Sequence, residues 1–219
     1  MAVDLTGAFE VTRKELEGYA LWIGSAYASP SFLATEALRW SDTRQERRAK
    51  RGTRADASFM SVLIISALIG ATLGALIPGR PPLPERATAA VVVIALWYFT
   101  SRVFHSVVRL FGGKAPAAIT VRVMMQVLAL AYVASNFAVL IVSSTAAIVP
   151  AVFRARESLG LSPGLQIVSV QAIVIMLYLP MSIKVAHGVR GVITVVVLSV
   201  IAAALAVGLA AGLSAVGTC

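Results

Sequence analysis

Residues 97–116, WYFTSRVFHSVVRLFGGKAP, decide how the rest of the chain is read. A long apolar segment ends there, positive charge returns, and a Gly-Gly pair turns the backbone. Arg102, His105 and Arg109 lie three and four apart and so share one helix face. Glycine tolerates positive φ and proline suits a helix restart, so Gly112-Gly113-Lys114-Ala115-Pro116 is expected to be a tight link between two helices. It is not a phosphate-binding loop, because it has no GxxxxGK[ST] pattern and no strand before it.

Working outward, apolar runs flank this link on both sides. The 219 residues are 58% hydrophobic and 13% charged, with a mean hydropathy of +0.86. Soluble domains carry about 25% charged residues, so the composition points to an integral membrane protein. Toward the N-terminus the runs are 59–77 and 87–110, separated by Pro78-Gly79 and Pro81-Pro82. Toward the C-terminus they are 127–149, 165–185 and 192–213. Each is long enough for a hydrocarbon core of about 30 Å, which takes about 20 helical residues. Barrel strands would need an alternation these runs lack. The expected fold is all-α: a polytopic membrane bundle of about five transmembrane helices over residues 57–219, preceded by a helical, basic cytoplasmic segment over residues 1–56.

Within the bundle, Gly70-x-x-x-Gly74 and Gly208-x-x-x-Gly212 are small-residue faces for close helix packing. Thr120, Arg122 and Gln126 mark an interfacial start to the third span. Asn136 is expected to bond to a neighbouring helix, Gln171 to be buried, and Pro180 to kink the fourth span. Whether 119–149 crosses once or twice is left open by its length. Trp97, Tyr98, Phe99 and Phe104 read in part as an interfacial aromatic belt.

The N-terminal 56 residues hold no span. Thr12 and Glu15 have capping-box spacing, followed by Leu16, Tyr19, Ala20, Ile23 and Tyr27 on one face. Ser29-Pro30 reads as the start of a second helix with Leu33, Ala37 and Trp40 on a stripe. That helix runs into Arg39, Arg44, Arg47, Arg48, Lys50, Arg51 and Arg54. Such a run sets topology and attracts anionic lipid at a membrane surface. It lacks the interleaved aromatics of a nucleic-acid tail, so no nucleic acid is expected as a partner. The first long apolar run begins only near Ala57, which argues against a cleavable signal. Cys219 is the one cysteine, so an internal disulfide and a multi-cysteine metal site are excluded, and no prenylation box follows it.

The link and its flanks, HSVVRLFGGKAPAAITVRVMMQVLALAYVASNFAVLI (105–141), resemble the centre of the Yip domain family, named for Ypt/Rab-interacting membrane proteins. Members have an aromatic and basic helix end, a short Gly-Gly-Lys/Arg link and a polar-apolar entry to the next span. The stretch IMLYLPMSIKVAHGVRGVITVVVLSVIAAAL (175–205) is similar to the family's last hairpin. The resemblance covers roughly residues 58–213. It implies a non-enzymatic multi-pass protein acting as scaffold, trafficking factor or accessory subunit of a membrane complex. The Asp-Leu-Tyr-Gly signature of eukaryotic members does not precede the first span here. Asp4-Leu5-Thr6-Gly7 echoes it near the N-terminus, so a Rab-type partner does not follow from the resemblance.

Chemistry is sparse. No acidic residue lies between Arg86 and Glu157, or after Glu157. The carboxylates usual in membrane enzymes and coupled transporters are therefore missing from the spans. No HExxH is present, and His105 has no Cys, Asp or Glu near it in sequence to complete a metal set. No enzyme activity, metal or cofactor is expected. A small-solute or ion transporter or channel is the alternative function. The candidate site is Arg102, His105, Arg109 and Lys114 at one helix end with Lys184 and His187 at another, for an anionic lipid or a partner's acidic segment. The positive-inside rule puts these ends and the N-terminus in the cytoplasm, the C-terminus outside. The Ala/Val/Arg-rich, Lys-poor usage suggests a bacterial inner membrane.

Overall fold

The computed structural model describes residues 5–46, 59–77, 83–149, 151 and 163–189. Among them are six helices and no strand: α1 (Leu5–Ala28), α2 (Pro30–Glu46), α3 (Phe59–Ala75), α4 (Leu83–Leu110), α5 (Ala117–Ile148) and α6 (Pro163–His187). Two of them, over Ala117–Ala146 and Leu165–His187, are long and apolar enough to cross a membrane, and α3 is a shorter apolar helix. The expected fifth span (192–213), Gly208 and Gly212, and Arg47, Arg48, Lys50, Arg51 and Arg54 lie outside the described residues. The side chain of Arg44, on α2, lies outside them too.

Helix α5 is the axis of the bundle and packs against α2, α3, α4 and α6. Its 32 residues form one unbroken helix, about 48 Å at 1.5 Å per residue, with no turn inside it. Cross-helix pairs fix the directions of its neighbours. Gly70 of α3 lies against the Tyr132 ring. Gln171 of α6 donates to Ser135 at 3.3 Å. Ile77, Val139 and Ile167 cluster near the far end. The start of α3, the end of α4, the start of α5 and the end of α6 therefore lie together, with α3 and α5 parallel and α4 and α6 running back.

Burial sorts the polar and aromatic residues singled out above. Thr120 and Gln126 are fully buried between the helices. Asn136 donates to the Tyr132 carbonyl of its own helix at 2.7 Å, and Gln171 of α6 supplies an amide bond across helices. Trp97 is buried, and its indole N–H donates to the Met124 carbonyl at 2.8 Å; Phe104 is buried as well. Tyr98 and Phe99 face outward.

The N-terminal helices are built into the bundle. Helix α1 begins at Leu5, upstream of the Thr12–Glu15 spacing, which is thus helix interior. It lays Tyr19, Trp22 and Ala26 on the core, and the Tyr19 hydroxyl bonds Ser66 of α3 at 3.0 Å. Burial raises the Tyr19 pKa above its ordinary value, and the Ser66 bond offsets only part of that. Helix α2 packs on α6 and α5 through Leu33, Ala34 and Ala37. Two bonds from α6 fasten the α1–α2 junction: Tyr178 hydroxyl to the Tyr27 carbonyl at 3.0 Å, and Ser182 hydroxyl to the Pro30 carbonyl at 2.7 Å. The one buried acid described, Glu36, pairs with Arg39 at 3.3 Å.

A histidine-bridged basic end as the candidate functional site

Three segments meet at one end of the bundle. The first is the C-terminal turn of α4. Its chain leaves by a Schellman cap: the Gly113 N–H donates to the Val108 carbonyl at 2.9 Å and the Gly112 N–H to the Arg109 carbonyl at 3.0 Å. This cap needs a left-handed residue after the helix, and Gly112 supplies it with φ of +84°. Gly113 answers a different need. A Cβ there would lie 2.5 Å from Val108 Cγ1, 2.9 Å from the Val108 carbonyl oxygen and 3.0 Å from His187 Nδ1. The turn can touch α6 only because position 113 has no side chain.

The second segment is the start of α5, which Pro116 opens in extended conformation. The third is the end of α6, where Gly188 takes a left-handed φ of +64°. The Lys114 N–H reaches the His187 carbonyl at 3.4 Å, a weak bond between the link and α6. The firm connection is Thr120. Its hydroxyl lies 2.8 Å from His105 Nδ1 and 2.9 Å from His187 Nε2, and the two rings stand 5.9 Å apart at 47°. One hydroxyl hydrogen serves one ring only, so the other ring must present an N–H to the oxygen. His187 is buried and its Nδ1 has no partner. An orphaned N–H is the rarer state inside a protein, which favours a bare Nδ1 lone pair there. His187 Nε2–H then donates to Thr120, and Thr120 donates to His105 Nδ1. His105 keeps its Nε2–H on the half-exposed side.

Around this bridge stand the cations singled out from the sequence. Arg102, Arg109, Lys114 and Lys184 are all exposed. Arg102 turns back along α4, its guanidinium 2.9 Å from the Tyr98 hydroxyl and 5.4 Å from that ring's centroid. That direction follows from helix geometry, because side chains lean toward the N-terminus. Arg109 is the basic residue of the last turn of α4, and Lys184 and His187 are those of α6. The described ion pairs, Arg13–Glu17 and Arg39–Glu36, lie on α1 and α2 and involve none of these cations. Sequence spacing found both histidines but not the hydroxyl that joins them, since threonine at a helix start has no distinguishing pattern. Among the described residues no cluster of three or more His, Cys, Asp or Glu side chains is placed to hold a metal ion.

Gly70 and Gly74 are both buried on α3. Arg39 is exposed on α2, away from this end's histidines in sequence and outside the hydroxyl bridge. No protein-family model matches this chain, and no curated protein or solved structure matches it either.

Proposed function

We propose that this chain is a non-enzymatic, multi-pass membrane protein of Yip-domain type that holds the phosphate of an anionic lipid at its histidine-bridged end. It works there as scaffold, trafficking factor or accessory subunit of a membrane complex. The observation that carries the reading is the gathering of Arg102, Arg109, Lys114 and Lys184 around one buried bridge, on segments whose sequence holds no acid. Cations near a hydrocarbon boundary need counter-charge, and the arginine fork suits phosphate bidentately.

The outer surface supports a membrane setting. Large apolar side chains are exposed on four helices: Leu68 on α3, Phe99 on α4, Phe137 on α5 and Leu177 on α6, each more than half exposed. In water so broad an apolar exterior would be a liability. In lipid it is the expected covering. The reading includes five spans, counting 192–213, with the N-terminus in the bacterial cytoplasm and Cys219 outside.

Replacing Arg102 and Arg109 together by Gln tests the lipid site, because Gln keeps the stem and drops the charge. Native mass spectrometry of the detergent-extracted protein should show bound phosphatidylglycerol on the wild type and its loss from the double variant. Retention at wild-type levels would make both arginines ordinary surface anchors. A missing protein partner, with lipid unchanged, would mean that an acidic segment of that partner supplies the counter-charge. A reporter fused after Cys219 that reads cytoplasmic would overturn the five-span topology.

A further inference from the structure

We infer that α1 lies across the bundle within the leaflet at the histidine-bridged end, with one edge against acyl chains and the other against anionic headgroups. The inference rests on the membrane reading above and adds an interaction surface to it.

Three attachments set the depth. Tyr19 meets Ser66, seven residues into α3, which is about 10 Å from that helix's start at 1.5 Å per residue. Tyr27 meets Tyr178, nine residues before His187, or about 14 Å. Three residues on, Pro30 meets Ser182, five residues before His187, or about 8 Å, so the junction with α2 lies nearer that end. Between Tyr19 and Tyr27 the helix advances about 12 Å along its own axis, yet its depth changes by only about 4 Å. It therefore runs from α3 toward α6 across the bundle and not alongside it. Interfacial helices sit about 5–10 Å into the headgroup and acyl boundary, and the Ser66 and Ser182 attachments fall at about that distance from their helix ends.

The side chains agree with that placement. Tyr19, Trp22 and Ala26 form the stripe facing the core. Beside this stripe Leu16, Ala20, Ile23 and Tyr27 follow at spacings of four, three and four along one edge. Of these, Leu16, Ala20 and Tyr27 are exposed and Ile23 is half-buried. Arg13, Lys14 and Glu17 lie along the other edge, interrupted by Leu21, and all four are exposed. Arg13 and Glu17 pair at 2.8 Å. A helix at rest in water has no use for an exposed arc divided in this way, whereas a helix in an interface is divided by the two media it touches. Lys14, the cation of that edge outside the Arg13–Glu17 pair, complements an anionic surface. The apolar edge is exposed on a helix tied to α3 and α6, whose own exteriors expose Leu68 and Leu177, so lipid is its occupant.

The test is site-directed spin labelling of the full chain in vesicles of phosphatidylcholine and phosphatidylglycerol, in a Cys219→Ser background. Labels go at Leu16→Cys and Ala20→Cys on the apolar edge, Lys14→Cys on the charged edge, and Phe137→Cys and Met176→Cys on the exteriors of α5 and α6. Accessibility to oxygen relative to nickel chelate reports depth. The expected result is a ratio at Leu16→Cys and Ala20→Cys several-fold above that at Lys14→Cys and approaching that of the α5 and α6 labels. Equal nickel access at all three α1 labels, with the α5 and α6 labels still shielded, overturns the inference and leaves the membrane reading intact. Nickel access at the α5 and α6 labels as well would overturn the membrane reading itself.

Discussion

Thr120→Val removes one hydroxyl and leaves the shape of the side chain almost unchanged. Thr120 has no exposed surface, and its oxygen is within 2.9 Å of both imidazoles. A neutral hydrogen bond contributes about 0.5–1.5 kcal/mol, and a buried group left without a partner costs about 1–3 kcal/mol. His105 is half-exposed and recovers water on losing Thr120. His187 is buried and recovers nothing, so both its ring nitrogens would then be unpaired. The expected loss is about 2–4 kcal/mol, most of it at His187. Thr120→Ser retains the oxygen and should stay within about 1 kcal/mol of wild type, the cost of a lost methyl. Adding His187→Phe to Thr120→Val should restore part of the loss, because replacing both partners by apolar groups avoids the desolvation penalty. The cycle can be closed by reversible unfolding in mixed dodecyl maltoside and SDS micelles, followed by far-ultraviolet circular dichroism. A Thr120→Val variant within about 0.5 kcal/mol of wild type would refute the idea that the hydroxyl joins the three segments, since ordinary surface changes fall in that range.

Gly113→Ala should destabilise by about 1–3 kcal/mol, because the Val108 carbonyl is backbone and cannot step aside; differential scanning fluorimetry reads this directly. Gly112→Ala should cost about 1–2 kcal/mol through the left-handed backbone alone, and the two losses should be separable by an alanine-to-glycine reversion series. Gln126→Leu should be neutral or stabilising, since both amide atoms are buried without a partner; a fall in melting temperature of several degrees would count against this. Trp97→Phe should lower stability by about 1–2 kcal/mol through the lost bond to Met124, with a matching loss of buried indole fluorescence.

The helices and the Gly-Gly link were legible because they depend on local chemistry. Runs of apolar residues, prolines at 78, 81 and 82, and Gly112-Gly113 each act within a few residues. The pairing of His105 with His187 could be anticipated only as a shared level at two helix ends; the bridging Thr120 could not. The burial of Trp97, Thr120 and Gln126 was hidden for one physical reason. Polarity marks outside from inside only when the outside is water. Here Phe99, Phe137 and Leu177 are as apolar as the core, so neither an aromatic nor an amide reveals which way it points. The docking of α1 and α2 was hidden for another reason. It depends on Ser66, Tyr178 and Ser182, whose hydroxyls carry no signal of a partner far away in sequence. The basic segment and the last apolar run add nothing to this comparison, as they lie outside the described residues.

The fastening of Pro30 to Ser182 has a consequence for biosynthesis. The two residues are 152 apart in the chain. At about 5–20 residues per second, synthesis needs roughly 8–30 s between them. During that interval α1 and α2 exist without the helix that holds their junction. Leu33, Ala34 and Ala37, with no exposed surface in the finished fold, then have no α6 to cover them. On the membrane reading proposed above, the nascent chain therefore carries a partly apolar helix pair that is free to meet the bilayer surface beside the ribosome. Its final docking is a late event, timed by the emergence of the last described helix.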